Sequence, residues 1–145
     1  MNQFLYSTLF IVSIATVLHS TYAALTMEEI ISTGKILRNH CQPKAGVSDE
    51  VLAEASNGHF TEDDAFKCYL ACMMGLSHSL KDGKYQADIT IQMADDLLPP
   101  EISAKVKNVA EKCRNAGDGF DNDCETAFAL TKCAYAADSE FFYLP

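Results

Sequence analysis

Apolar residues recur three and four positions apart through most of the chain after residue 26, a spacing that places them on one face of an α-helix. The clearest stripe is Phe66, Tyr69, Leu70, Met73 and Met74, at i, i+3, i+4, i+7 and i+8. Comparable stripes, each bounded by capping residues or helix breakers, indicate five other helices. The pattern therefore predicts an all-α fold, a compact domain of six helices.

Capping residues and helix breakers predict where these helices begin and end. Thr26 and Glu29 have the spacing of a capping box, so the first helix is expected from there to about His40, ahead of Pro43 and Gly46. Helix two is predicted at 48–56, and helix three from 61 to the turn at 82–83. Helix five is predicted from 100 to the glycines at 117 and 119, and helix six at 122–135, with Asp121 as its N-cap. Thr61 is the expected N-cap of helix three.

The stretch 89–98 gives two signals. Ile89, Ile91 and Met93 alternate as in a β-strand, whereas the residues from Ala94 to Leu98 follow a helical period. A single strand would have no partner in this chain, so we expect a short fourth helix.

The first 23 residues have the features of a secretory signal peptide. Residues 4–18 are mostly apolar, and the small residues Thr21 and Ala23 stand at −3 and −1 of a cleavage site. The apolar run is shorter than the roughly 20 residues that span a bilayer. We expect 1–23 to be removed and 24–145 to be one secreted, extracellular domain.

The chain of 145 residues has a formal net charge of −9 at pH 7. Negative charge repels nucleic-acid phosphates and anionic lipid headgroups, which makes nucleic acid and membranes poor candidates as partners. A monomer or weak homodimer is expected.

Six cysteines occupy positions 41, 68, 72, 113, 124 and 133, and an even number in a short secreted chain indicates disulfides. Cys68 and Cys72 lie on one face of the same predicted helix, with parallel Cβ directions, so a bond between them is disfavoured. Cys124 and Cys133 are separated by about 13 Å of helical rise, too far for a bond. Of the 15 possible pairings, ten remain after these exclusions.

The spacing of the cysteines, with Cys-x3-Cys at 68–72 and Cys-x8-Cys at 124–133, resembles that of the insect odorant-binding proteins of the pheromone and general-odorant group. The resemblance covers the whole predicted mature chain. It implies the pairs Cys41–Cys72, Cys68–Cys124 and Cys113–Cys133. It also implies a carrier that holds an odorant, pheromone or fatty acid in an internal apolar cavity and delivers it through aqueous fluid to a chemosensory receptor.

The absence of catalytic and metal-binding motifs from the sequence supports a carrier over an enzyme. The sequence contains no Gly-x-Ser-x-Gly elbow, phosphate loop or His-Glu-x-x-His motif. His40, His59 and His78 fall in no recognisable triad. We therefore expect no catalysis, no cofactor and no metal site.

The apolar stripes and the C-terminal segment supply the predicted pocket. Met and aromatic side chains suit a pocket that accepts several ligands. The expected lining is Phe66, Tyr69, Leu70, Met73, Ile91, Ile102, Val106, Val109, Ala110, Phe128, Thr131, Phe142 and Tyr143. Thr131 and Tyr143 are the expected polar contacts. An exposed apolar tail at 141–145 would be unfavourable, so it is expected to fold back, and the resemblance implies that it closes one wall.

Two other functions remain open at this point. The same scaffold could serve as a carrier in haemolymph, saliva or reproductive fluid. A signalling or inhibitory protein with a filled core would instead act through its surface. A further hypothesis is that ligand binding weakens between pH 7 and 5, because Asp138 and Glu140 lie at the junction of the tail.

Overall fold

A computed structural model describes residues 24–145, which contain six α-helices and one short β-ladder. The helices are α1 Met27–Ala45, α2 Asp49–Ser56, α3 Asp64–Leu76, α4 Ala87–Leu97, α5 Pro100–Lys112 and α6 Asp123–Ala137, and strands β1 Leu80–Lys81 and β2 Lys84–Tyr85 pair antiparallel. The predicted all-α, six-helix fold is confirmed, including a helix where the fourth segment was ambiguous. The predicted signal peptide lies outside the described residues.

Helix α1 begins as predicted and ends later than predicted. The Thr26 N–H donates to Glu29 Oε2 at 2.8 Å, and the Thr26 hydroxyl accepts from the Glu29 N–H, which completes the capping box. The expected end near His40 is wrong, because Pro43 sits inside the helix and the break comes at Gly46. Gly46 adopts a left-handed φ of 75°, which glycine tolerates without strain, and its N–H donates to the Gln42 carbonyl.

Two predicted N-caps are displaced by one or two residues. Asp63, not Thr61, caps α3 and accepts from the Ala65 N–H at 2.8 Å. Asn122, not Asp121, caps α6 and accepts from the Glu125 N–H at 2.9 Å. In both cases several short polar side chains precede the helix, and the one nearest its first turn forms the cap.

The turn at Asp82-Gly83 closes the β1–β2 hairpin, which the sequence pattern did not reveal. Helix α3 already ends at Leu76. Asp82 and Gly83 have φ values of 51° and 73°, as a tight two-residue hairpin requires. The hairpin is hydrogen-bonded to α6, because the Asp123 carboxylate accepts from the Gly83 N–H and the Thr126 hydroxyl donates to the Gly83 carbonyl.

Helix α3 is the centre of the core. It packs against α1 on one side and α6 on the other. Its residues Phe66, Tyr69 and Leu70 are among the most deeply buried large side chains. The disulfides are Cys41–Cys72 between α1 and α3, Cys68–Cys124 between α3 and α6, and Cys113–Cys133 between the end of α5 and α6. This is the pairing that the family resemblance implies, and it fastens α3 to both of its neighbours.

Helices α4 and α5 form a hairpin that packs mainly on itself. Within residues 24–145, α5 is the one extensively packed neighbour of α4, and α5 also meets α6. Asp95 of α4 accepts from Lys107 at 2.6 Å and from the Ser103 hydroxyl at 2.9 Å, both on α5. No helix in the part of the chain that the structure describes has the length and apolar character to cross a membrane.

Candidate functional site

Seven of the thirteen predicted pocket residues are buried, and five of these belong to the core. Phe66, Tyr69, Leu70 and Met73 on α3 and Phe128 on α6 belong to one cluster of buried apolar side chains. The rings of Phe66 and Phe128 meet edge to face, with centroids 6.2 Å apart. These residues therefore form one continuous apolar surface, built on the two helices that Cys68–Cys124 ties together.

The residues predicted on α4 and α5 form a second apolar surface. Ile91, Ile102 and Val106 are half-buried, and among the described residues they neither belong to the core cluster nor pack against it. Val109, nearer the end of α5, packs against the cluster, and Ala110 beside it is buried. The hairpin thus joins the core at the Cys113 end of α5, and at its other end the Leu97 carbonyl accepts from the Leu25 N–H ahead of α1 at 2.7 Å.

Thr131 lies three residues after Phe128 on α6, so the two side chains share a face of the helix. Thr131 is 3% exposed, and its hydroxyl donates to the Ala127 carbonyl at 2.8 Å. Because that bond uses the hydroxyl hydrogen, the oxygen keeps a free lone pair that can accept a hydrogen bond. The predicted polar contact is therefore buried next to the aromatic wall and is an acceptor.

The C-terminal segment folds back onto the body, as predicted. The Phe142 ring packs edge to face on Tyr135 and Phe60, with centroids at 5.2 and 6.0 Å. The preceding ring, Phe141, lies 5.0 Å from the Lys105 ammonium of α5. The tail therefore passes both the α2–α3 connection and α5, and its Leu144 side chain packs against the core cluster.

The last residues of the segment reach α1 and α3. Gly34 of α1 is so close to the tail that a Cβ placed on it would lie 2.9 Å from the Pro145 side chain and 3.2 Å from the Tyr143 ring. The buried Tyr69 hydroxyl donates to the main-chain oxygen of Pro145. Burial raises the pKa of Tyr69 to about 12. Tyr143, the other predicted polar contact, is 49% exposed.

Sequence reasoning missed the residues that hold the tail in place. Gly34, Phe60 and Tyr135 contact the tail. Gly34 and Phe60 lie more than 60 residues before it along the chain. Phe60 was the available signal, because it directly precedes the predicted cap Thr61, and an apolar residue in that position often packs against the helix that follows.

One buried charge lies behind the aromatic wall. The Lys67 ammonium bonds to Glu125 at 2.9 Å and lies 3.2 Å from Glu62. The same ammonium is 5.1 Å from the centre of the Phe128 ring, within the range of a cation–π contact. The hydrogen bond to Glu125 raises the pKa of Lys67, so the side chain stays charged at neutral pH.

A separate surface cleft of about 410 Å³ lies between the β1–β2 hairpin and the α5–α6 connection. Its lining consists of Gly83, Lys84, Tyr85, Arg114, Asn115, Gly117, Asp118, Gly119 and Phe120, none of which was predicted to contact a ligand. The Arg114 guanidinium there already pairs with Asp88 and Glu111. Across residues 24–145, no three His, Cys, Asp or Glu side chains are grouped so as to hold a metal ion.

A family model described as "PBP/GOBP family" matches residues 23–137 of the chain. Among curated proteins, general odorant-binding protein 72 of Anopheles gambiae is 29% identical over 120 residues, which cover 83% of this chain and 99% of that protein. General odorant-binding protein 19a of Drosophila melanogaster is 31% identical over 114 residues, covering 77% of this chain and 78% of that protein.

Solved structures give the same relationship. Odorant binding protein 4 of Chrysopa pallens superposes with a TM-score of 0.77 at 31% identity, over 83% of this chain and 99% of that one. The fatty acid binding protein OBP56a from the oral disk of the blowfly Phormia regina superposes with a TM-score of 0.57 at 26% identity, over 81% of this chain and 98% of that one.

Proposed function

The chain belongs to the PBP/GOBP family of insect odorant-binding proteins, and on that premise we propose where and how it carries small hydrophobic molecules. The ligand lies between the α3–α6 wall and the α4–α5 hairpin, with the C-terminal segment as the closing side. Binding is non-covalent and needs no cofactor or catalytic step.

Three half-buried side chains of the α4–α5 hairpin that do not pack on the core cluster carry this proposal. Ile91, Ile102 and Val106 present apolar side chains that the core cluster does not cover. Apolar side chains on an inner face are stabilised by contact, and a bound apolar molecule would supply it. A ligand that buries roughly 300 Å² of apolar area gains about 7 kcal/mol, which together with a hydrogen bond places the Kd near micromolar.

The setting proposed for this carrier is extracellular. The three disulfides are suited to an oxidising compartment, and the predicted signal peptide at 1–23 would direct the chain there. We propose that the protein is a monomer or weak homodimer that delivers odorants or pheromones through sensillar lymph to an odorant receptor.

A titration with the fluorescent probe N-phenyl-naphthylamine tests the carrier function. Disulfide-bonded protein comprising residues 24–145 is expected to take up one probe per chain, and some members of a panel of volatiles and fatty acids should displace it. Absence of uptake by correctly bonded protein would favour a filled core and a surface-acting protein.

A matched pair of variants tests the location. Val106→Trp fills the proposed space and is expected to weaken probe binding by about tenfold, since overpacking a site costs about 1–3 kcal/mol. Ile36→Trp introduces the same ring on α1 at a side chain that is 65% exposed, so it should leave the Kd unchanged. Equal probe affinity for both variants would place the ligand elsewhere.

A non-olfactory carrier is the second candidate. The blowfly neighbour that binds fatty acid comes from the oral disk, a feeding organ and not an antenna. Measurement of the transcript in antennae, mouthparts, haemolymph tissue and reproductive glands separates the two, because only the olfactory function requires antennal expression.

A further inference from the structure

The buried polar side chains of the described residues share one property, which is that their donor hydrogens are already bonded within the protein. The Thr131 hydroxyl donates to Ala127, Thr126 to Gly83, Ser103 to Asp95 and Tyr69 to Pro145, and the Lys67 ammonium is paired with Glu125 and Glu62. Between residues 24 and 145, no buried side-chain nitrogen or oxygen is left without a partner.

Four half-buried hydroxyls follow the same pattern. The hydroxyls of Ser77, Ser79, Thr90 and Tyr135 all donate to main-chain carbonyls. A hydroxyl that donates still carries oxygen lone pairs, so these groups can accept a further hydrogen bond. These groups are therefore able to accept hydrogen bonds from a ligand, whereas donating one requires breaking a bond already made.

We infer that the site selects neutral ligands that carry a hydroxyl donor or no polar group, and that it rejects carboxylate anions. This inference rests on the proposed carrier function and names the class of its ligand. An alcohol can donate to the Thr131 oxygen while the bond from Thr131 to Ala127 persists. Thr131 shares a helix face with the Phe128 wall, which places the acceptor beside the apolar body of the ligand.

A ligand with an ionised carboxylate has no donor hydrogen to offer to these oxygens. It offers acceptors alone, and burial of an ionised carboxylate without charged or donor partners is strongly unfavourable. The buried ammonium of Lys67 already faces two carboxylates. The Lys132 ammonium, 5.0 Å from the centre of the Phe128 ring, lies 4.0 Å from Glu62, so the two ammonium groups are balanced by Glu62 and Glu125 and leave no net positive charge for a third carboxylate.

The test compares three ligands with the same ten-carbon chain, 1-decanol, 2-decanone and decanoic acid, by probe displacement on disulfide-bonded protein at pH 7.5. We expect decanol to bind at least about tenfold more tightly than decanoate, with the ketone between them. Lowering the pH to 5 brings the acid close to its ordinary carboxyl pKa of about 4–5, so the ratio of acid Kd to alcohol Kd should fall as the neutral form enters.

Two valine variants in α6 locate the acceptor. Thr131→Val removes the buried oxygen at nearly constant volume and should abolish the preference for decanol over decanone. Thr126→Val makes the same change at a threonine that bonds to the β1–β2 hairpin, and should leave that preference intact.

Each outcome decides the inference. Decanoate that binds as tightly as decanol at pH 7.5, or an acid-to-alcohol ratio independent of pH, would overturn the exclusion of anions. An unchanged preference in Thr131→Val would overturn the assignment of the acceptor. Failure of the protein to take up the probe at all would refute the carrier function itself, and the inference with it.

Discussion

Replacement of Gly34 by alanine should loosen the C-terminal segment without altering either wall of the site. Gly34 lies inside α1, where a Cβ would stand 2.9 Å from the Pro145 Cγ and 3.2 Å from the Tyr143 ring. Ordinary carbon contacts are about 3.5–4.0 Å, so Pro145 must move away by roughly half an ångström or more. That movement strains or breaks the hydrogen bond between Pro145 and Tyr69.

Two opposing effects set the change in the free energy of unfolding for Gly34→Ala. Alanine in a helix interior is more stable than glycine by about 0.5–1 kcal/mol. Against this, loss of the hydrogen bond costs about 1 kcal/mol and the crowding a further 1 kcal/mol or more. The Gly34→Ala protein should therefore be less stable by about 1 kcal/mol.

Gly75→Ala is the matched control. Gly75 lies in α3, and a Cβ there would have no described atom within 4 Å, so this variant has the helix gain without the clash. The two variants should differ by about 2 kcal/mol in the free energy of unfolding. They should differ also in the rate at which chymotrypsin cuts after Phe141 to Tyr143.

Denaturant unfolding, mass spectrometry of the chymotryptic products and stopped-flow release of the probe measure these effects. We expect faster tail cleavage and faster probe release in Gly34→Ala alone. If Gly34→Ala instead gains stability as Gly75→Ala does, with the tail equally resistant to the protease, the tail contacts described above do not hold the segment.

Four further predictions rest on individual contacts. Tyr69→Phe should lower the free energy of unfolding by about 1 kcal/mol at neutral pH. Burial raises the pKa of Tyr69 to about 12, against about 10 in the unfolded chain. The wild type should therefore also lose stability as the pH rises from 10 to 12. Denaturant titrations that show the same loss in Tyr69→Phe would reject this explanation. Replacement of Cys113 and Cys133 by alanine should lower the free energy of unfolding by about 3 kcal/mol and weaken probe binding. Loss of Cys41–Cys72 should have a similar cost in stability but affect binding less. Equal Kd values for the two variants would refute the idea that Cys113–Cys133 positions the α4–α5 hairpin for binding. Lys67→Met should destabilise the protein more than Lys132→Met in thermal unfolding, since Lys132 is half-exposed and 4.0 Å from its carboxylate; the reverse order would contradict the importance of the buried pair. Probe binding should weaken between pH 7 and 5, as hypothesised from the acidic junction of the tail, and equal Kd values at the two pH values would exclude this.

Local signals predicted the helices well. The capping box at Thr26 and Glu29 is formed by residues three apart, and the stripe through Phe66 and Tyr69 spans a single helix. Such signals need no knowledge of the rest of the chain. They failed by a few residues where several capping side chains competed, as at Thr61 and Asp63, because the energy difference between adjacent caps is small.

Contacts between distant segments could not be predicted in this way. Geometry left ten cysteine pairings open, and the choice came from the family resemblance. The position of Gly34 beneath Pro145 depends on how α1 and the tail meet in space, which no local pattern records. The β1–β2 hairpin has two residues per strand, too few for an alternating pattern to register.

The partial independence of the α4–α5 hairpin bears on how such proteins diverge. Its ion pairs and side-chain hydrogen bonds lie mostly within the hairpin, and it is fastened to the body at the end of α5, next to Cys113–Cys133, and at the Leu97 carbonyl, which accepts from the Leu25 N–H ahead of α1. Substitutions at Ile91, Ile102 or Val106 can then change ligand preference while the α1–α3–α6 frame keeps its stability. A duplicated gene could acquire a new ligand by a few such changes, since selection on folding and selection on binding act on different residues.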